Sequence, residues 1–159
     1  MINIAVLITC HNRKHKTVKC LQKLYSQNNI ENIKLKVFLV DDGSSDGTGQ
    51  TVKKLFPDIT IIKGSGNLFW GGGMFLAWET ALKDNIEYNY FLWINDDTFL
   101  FEDAISTLLG SKKMMMILSL EVYVIQLQKK EHMVVRLMKK KNLDLLNIKL
   151  SMLMDILRK

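Results

Sequence analysis

The sequence predicts an α/β domain built on a mostly parallel sheet flanked by helices. Three observations carry that prediction. Four short apolar runs recur along residues 1–111, helix-like segments alternate with them, and every conspicuous polar cluster follows the end of a run. Such alternation implies parallel strands joined by right-handed crossovers. In open sheets of that kind, ligands sit beyond the carboxyl ends of the strands.

Ile4-Ala5-Val6-Leu7-Ile8 is a continuous apolar run of the kind that is buried on both faces of a sheet. After the polar turn Thr9–Lys14, apolar residues at Val18, Leu21, Leu24 and Tyr25 follow the spacing of one helix face. Lys36-Val37-Phe38-Leu39-Val40 predicts the second strand, and Asp41-Asp42-Gly43-Ser44-Ser45-Asp46-Gly47 ends it. A helix with Val52, Leu55 and Phe56 inward follows, closed by Pro57, and Asp46 is expected to cap it. Thr60-Ile61-Ile62 predicts a third strand and Gly64–Gly73 a glycine-rich loop. Phe75, Trp78, Ala81 and Leu82 mark another helix, and Tyr90-Phe91-Leu92-Trp93-Ile94 predicts a fourth strand running into Asn95-Asp96-Asp97.

The chain has 159 residues and a formal net charge of +6, enough for one domain with a real core. That charge is unevenly placed. Residues 1–111 carry eleven basic and twelve acidic side chains, whereas residues 112–159 carry eleven and four. All nine glycines and Pro57 lie in the first part, and seven of nine methionines in the second. The first part is therefore close to neutral and gives no reason to expect a nucleic-acid partner. Cys10 and Cys20 do not make a disulfide framework, and with His11 and His15 they fit no zinc-ligand spacing, so a reduced cytoplasmic setting is expected. The N-terminus reads as no signal peptide, and no apolar run approaches a membrane span.

Two carboxylate pairs, Asp41-Asp42 and Asp96-Asp97, follow buried strands on one sheet edge. Carboxylates brought together repel, and a hard cation such as Mg²⁺ or Mn²⁺ shared with a diphosphate would relieve them. Capping of the following helices is the alternative for these acids, and for Asp96-Asp97 a turn accounts for the pair equally well. Asp42-x-Ser44-x-Asp46-Gly47 opens like a calcium loop but has Lys53 at the twelfth position. Gly47-x-Gly49 and Gly64-x-Gly66 lack the third glycine of a dinucleotide fingerprint. In Gly64–Met74, three consecutive glycines would let backbone approach a ligand, and Phe69 and Trp70 would stack on a base or sugar, or else simply cover the sheet edge. Arg13 is placed to contact a phosphate or to lie in solvent.

Ile8-Thr9-Cys10-His11-Asn12-Arg13, Val40–Thr48, the glycine-rich stretch and Asn95-Asp96-Asp97, in this order and spacing, resemble family 2 glycosyltransferases of the GT-A (Rossmann-like) fold over about residues 2–110. The resemblance implies a nucleotide-sugar donor, UDP- or dTDP-linked, with Thr9, His11, Arg13, Asp42, Asn67, Trp70, Gly72, Gly73 and Asp96 around it. It also implies a divalent metal, Mg²⁺ or Mn²⁺, on Asp97, which with Asp96 forms the DxD-type element. One departure is His11, where the family usually has Tyr or Phe. The implied reaction is inverting transfer of the sugar to a hydroxyl of a carbohydrate or lipid-linked acceptor. The family's general base lies in the second half of the domain, where this chain has no matching motif, so impaired transfer and an incomplete C-terminal part are expected.

Residues 112–159 match nothing in that family. Leu145, Leu146, Ile148, Met152, Leu153 and Ile156, downstream of Lys139–Lys141, suggest a basic amphipathic helix suited to peripheral membrane contact at the inner face or to a partner protein. A reading-frame change near Lys112-Lys113 is the other expectation: one base earlier, Met114-Met115-Met116 becomes three Asp codons and the stretch to Val135 can end in Thr-Tyr-Gly-Gly, as the family would continue. A non-catalytic α/β module using its basic tail is the rival to the enzyme reading. A nucleotidyltransferase is disfavoured, because Thr9–Arg13 has no glycine.

Overall fold

The structure, a computed structural model, describes residues 1–110, 125–126 and 135–139. β1 (Ile2–Cys10), β2 (Ile33–Asp41), β3 (Thr60–Lys63) and β4 (Tyr90–Ile94) form a parallel sheet with α1 (Lys14–Tyr25), α2 (Thr48–Leu55) and α3 (Phe69–Leu82) as crossovers. α4 (Ala104–Gly110) follows β4, and two further strands, β5 (Ile125–Gln126) and β6 (Val135–Lys139), extend the sheet to the order β3-β2-β1-β4-β6-β5. β6 runs antiparallel to β4, from Tyr90 opposite Lys139 to Ile94 opposite Val135.

The apolar runs are continuous because both sheet faces are covered, yet each strand still alternates. Ile4, Val6, Ile8, Val37, Leu39, Leu92 and Ile94 point to one side, where Cys20, Leu21 and Leu24 of α1, Val52 of α2 and Ile105 and Leu108 of α4 pack. Ala5, Leu7, Phe38, Val40, Phe91 and Trp93 point to the other, under Met74, Ala77, Trp78 and Ala81 of α3. Trp78 lies on Phe91 with ring centroids 4.3 Å apart.

Several expectations require correction. The glycine-rich stretch is a loop only as far as Leu68; α3 begins at Phe69 and takes Gly71, Gly72 and Gly73 into its first turns. A side-chain carbon on Gly73 would lie 2.1 Å from Thr9 Oγ1 and 2.8 Å from Thr9 Cβ, so this glycine is what lets α3 approach the central strand. Leu55 is not inward but 52% exposed. Tyr25 is also exposed and stacks on Phe56 with centroids 5.5 Å apart. In the basic segment, expected to be helical, the described residues are the strands β5 and β6, while the Leu145–Ile156 spacing lies outside the described residues. Among the described residues no helix is long and apolar enough to cross a membrane.

Candidate functional site

The registers of β1 with β2 and with β4 bring the ends of these strands level, with Cys10 opposite Asp41 and Leu7 opposite Trp93. The loops that leave these ends enclose an open cleft of about 610 Å³, lined by Thr9, Cys10, His11, Arg13, Asp42, Phe69, Trp70, Asn95, Asp96 and Asp97. Seven of the expected residues, Thr9, His11, Arg13, Asp42, Trp70, Asp96 and Asp97, thus meet in one place. Asn67, Gly72 and Gly73 do not line it: Asn67 is on the exposed turn before α3, and Gly72 and Gly73 are helical. At Gly73 the near neighbour of an added side-chain carbon is Thr9.

The loop after β1 is locked to the loop after β2 by Asn12, a residue that sequence reasoning passed over. Its φ of 52° is left-handed, a conformation that asparagine tolerates better than most residues. Its Oδ1 accepts from Ser45 N at 2.7 Å, Ser45 Oγ at 3.2 Å and Asp46 N at 3.3 Å, while its own N–H donates to Ser44 Oγ at 2.9 Å. An Asn in a polar turn was the available signal. His11 Nδ1 lies within hydrogen-bond distance of the Asp42 carbonyl, which fixes the ring on the same seam. Asp46 accepts from the backbone N–H groups of Lys14 at 3.0 Å and Thr48 at 2.9 Å, so it serves the N-termini of both α1 and α2. Its bond to the Thr48 hydroxyl, reinforced by the Lys14 amide, holds its carboxyl below the usual carboxylate range.

Asp42 is buried, and its carboxylate is committed to backbone. Oδ1 accepts from Gly66 N at 2.7 Å, and Oδ2 from Leu68 N at 2.9 Å and Phe69 N at 3.2 Å. A carboxylate just beyond β2 therefore satisfies one amide of the loop before α3 and two at the start of the helix, where the helix dipole favours negative charge. That anchoring also holds Phe69 at φ 53°, a conformation that opposes its side chain by about 1–2 kcal/mol. Phe69 is 80% exposed at the cleft rim as a result. Beside it, Trp70 Nε1 donates to Asn95 Oδ1 at 2.9 Å, and its ring meets Trp93 edge-on at 6.1 Å.

Asn95, Asp96 and Asp97 form a turn closed by the Thr98 N–H on the Asn95 carbonyl at 3.0 Å. The turn directs both carboxylates at Arg13, whose Nη1 is 3.3 Å from Asp96 Oδ1 and 3.0 Å from Asp97 Oδ2. Lys16 Nζ stands 3.7 Å from Asp97 Oδ2. The other Asp96 oxygen, Oδ2, is buried with no hydrogen-bond partner. Burial pushes the Asp96 carboxyl up to about 6, against the lowering influence of Arg13 and with a further rise from Asp97. On the cleft wall, burial raises the Cys10 thiol well above its usual range, which favours its uncharged form.

Hard carboxylate oxygens suit Mg²⁺ or Mn²⁺, and an unpartnered buried oxygen beside a half-exposed one fits an ion that takes one or two protein carboxylates. Among the described residues no third acidic, His or Cys ligand joins them.

Solved structures share this fold. The crystal structure of S. aureus TarS 1–349 aligns at 19% identity and a TM-score of 0.55, covering 66% of this chain and 30% of that one. Its complex with UDP aligns at 19% identity and a TM-score of 0.54, with the same coverage. The mannosyltransferase PcManGT from Pyrobaculum calidifontis, in complex with GDP-Man and Mn²⁺, aligns at 21% identity and a TM-score of 0.54, covering 70% of this chain and 33% of that one. The chain thus spans about a third of the length of each. No curated protein sequence matches it. The α/β arrangement is of the GT-A type, with β1 to β4 and their crossovers as its N-terminal half. The model of glycosyl transferase family 2 matches residues 5–114, more than half of the chain, and the protein belongs to that family.

Proposed function

We propose that the cleft binds a nucleotide-diphosphate sugar and that the chain is the donor-binding part of a glycosyltransferase that moves the sugar, with inversion, to an acceptor hydroxyl. The observation that carries this reading is the meeting of Arg13, Asp96, Asp97, Trp70 and Thr9 in one cleft at the carboxyl ends of β1 and β4. Arg13 presents a half-exposed guanidinium to the diphosphate. Trp70, held by Asn95 and Trp93, and the exposed Phe69 supply flat apolar walls for a base or sugar ring. Asp42 acts through its amides, holding the Gly64–Phe69 turn so that these aromatics face the cleft.

Asp97, with Asp96 beside it, would hold a divalent cation, which when bound would neutralise the departing diphosphate. The Mn²⁺ in the mannosyltransferase complex supports the use of a divalent cation. UDP, UDP-GlcNAc and GDP-Man occur in the related structures, so the first donors to examine are uridine and guanosine diphosphates together with dTDP. Isothermal titration of UDP, dTDP and GDP into the protein with Mn²⁺ present should give saturable binding to at least one. Absence of heat and of competition with all three would refute the reading.

A further inference from the structure

We propose that Arg13 is a resident counter-cation that occupies the Asp96–Asp97 pair in the empty cleft and moves to the donor's diphosphate when a divalent cation takes its place. The inference rests on the nucleotide-sugar reading above and concerns how the same site is filled.

Two features mark the Arg13 contact as releasable. A structural arginine–carboxylate pair normally uses two guanidinium nitrogens in a fork, whereas a single nitrogen, Nη1, serves both acids here at 3.0 and 3.3 Å. The side chain is also 48% exposed, and it starts at the turn preceding α1. The seat it covers is not filled by it. Asp96 is only 6% exposed and lines the cleft with Oδ2 unpartnered, so an acceptor remains that Arg13 does not satisfy.

Arg13 cannot stay where it is beside a doubly charged ion on the same oxygens, because like charges at that separation repel. A diphosphate in the cleft offers the planar guanidinium pairs of anionic oxygens in exchange. Arg13 therefore opposes cation binding to the empty protein and favours nucleotide binding, and each ligand eases entry of the other. Such coupling is reciprocal by thermodynamic necessity.

The test uses the full chain, with free Mn²⁺ followed by electron paramagnetic resonance and UDP by calorimetry in metal-free buffer. Arg13→Gln should bind Mn²⁺ alone about tenfold more tightly than the parent, and UDP alone about tenfold more weakly. Opposite signs distinguish the exchange from simple damage, which weakens both. Arg13→Lys should fall between, and Lys16→Gln should tighten Mn²⁺ only slightly, since it touches one acid at 3.7 Å. Unchanged Mn²⁺ affinity in Arg13→Gln, in a protein that binds both ligands, overturns the exchange alone. Failure of the parent and every variant to bind Mn²⁺, and to bind UDP, dTDP and GDP with Mn²⁺ present, overturns the donor-site reading and the exchange with it.

Discussion

Gly73→Ala separates two meanings of the triple glycine. In an ordinary helix interior the change would be worth about 1 kcal/mol of added stability, because glycine loses more backbone freedom on folding than alanine. The structure reverses the sign. The new Cβ would stand 2.1 Å from Thr9 Oγ1, 2.8 Å from Thr9 Cβ and 3.3 Å from Thr9 Cγ2. Thr9 is β-branched, which restricts its rotamers, and its backbone is held in β1 opposite Val40 of β2, so the contact is relieved only by turning the side chain or shifting the helix. Forcing a methyl into such a contact costs about 1–3 kcal/mol in packed cores. The net expectation is a loss of about 1–2 kcal/mol, seen as a fall of roughly 5 °C in the melting midpoint followed by circular dichroism. Thr9→Ala removes the two atoms at 2.1 and 3.3 Å and should recover part of the loss in the double variant. Gly72→Ala should cost less, since its Cβ meets the Leu68 side chain at 3.2 Å. A Gly73→Ala protein as stable as the parent or more so would refute the packing argument.

Three further predictions concern the polar seam. Asp96→Asn should grow more stabilising with pH. The folded carboxyl titrates near about 6 against an ordinary 3.8, so the parent's stability from this group is complete below the ordinary value and lost as pH rises through the folded one. The variant should therefore exceed the parent by up to about 3 kcal/mol near pH 8 and nearly equal it near pH 4 in urea titrations, and a gap independent of pH would exclude the idea. Asp42→Ala strips the acceptor from three amides around the start of α3, so the ligand-free protein should lose about 2–4 kcal/mol in chemical denaturation, with Asp42→Asn intermediate. Asn12→Ala removes the acceptor of three donors at a left-handed position and should cost about 2 kcal/mol by the same measurement, with Asn12→Gly recovering the conformational share.

The strands were legible because their apolar runs are buried on both faces, so Ile4–Ile8 and Tyr90–Ile94 needed no partner to be recognised. The cleft was legible for a related reason: parallel crossovers bring all strand ends to one edge, so Arg13, Asp42 and Asp96 had to converge once the strands were placed. The start of α3 was not, because three glycines argue against a helix on propensity and only the neighbouring strand shows why they are needed there. The work of Asp42 was hidden too, since its three amides lie 24 to 27 residues away. Helix spacing placed Leu21, Leu24 and Val52 correctly but overextended the inner face to Leu55, which α2 turns to solvent at its last residue.

The carboxylate of Asp46 belongs to two helices at once. Because the first amides of α1 and α2 end on the same group, neither helix can fray at its N-terminus without disturbing the other's terminus. Fluctuations on this side of the cleft should then be correlated, with the turn that carries Arg13 and the turn that follows β2 opening together. A ligand that stiffens one turn stiffens both, so part of the entropy lost on binding is shared between two loops rather than incurred twice.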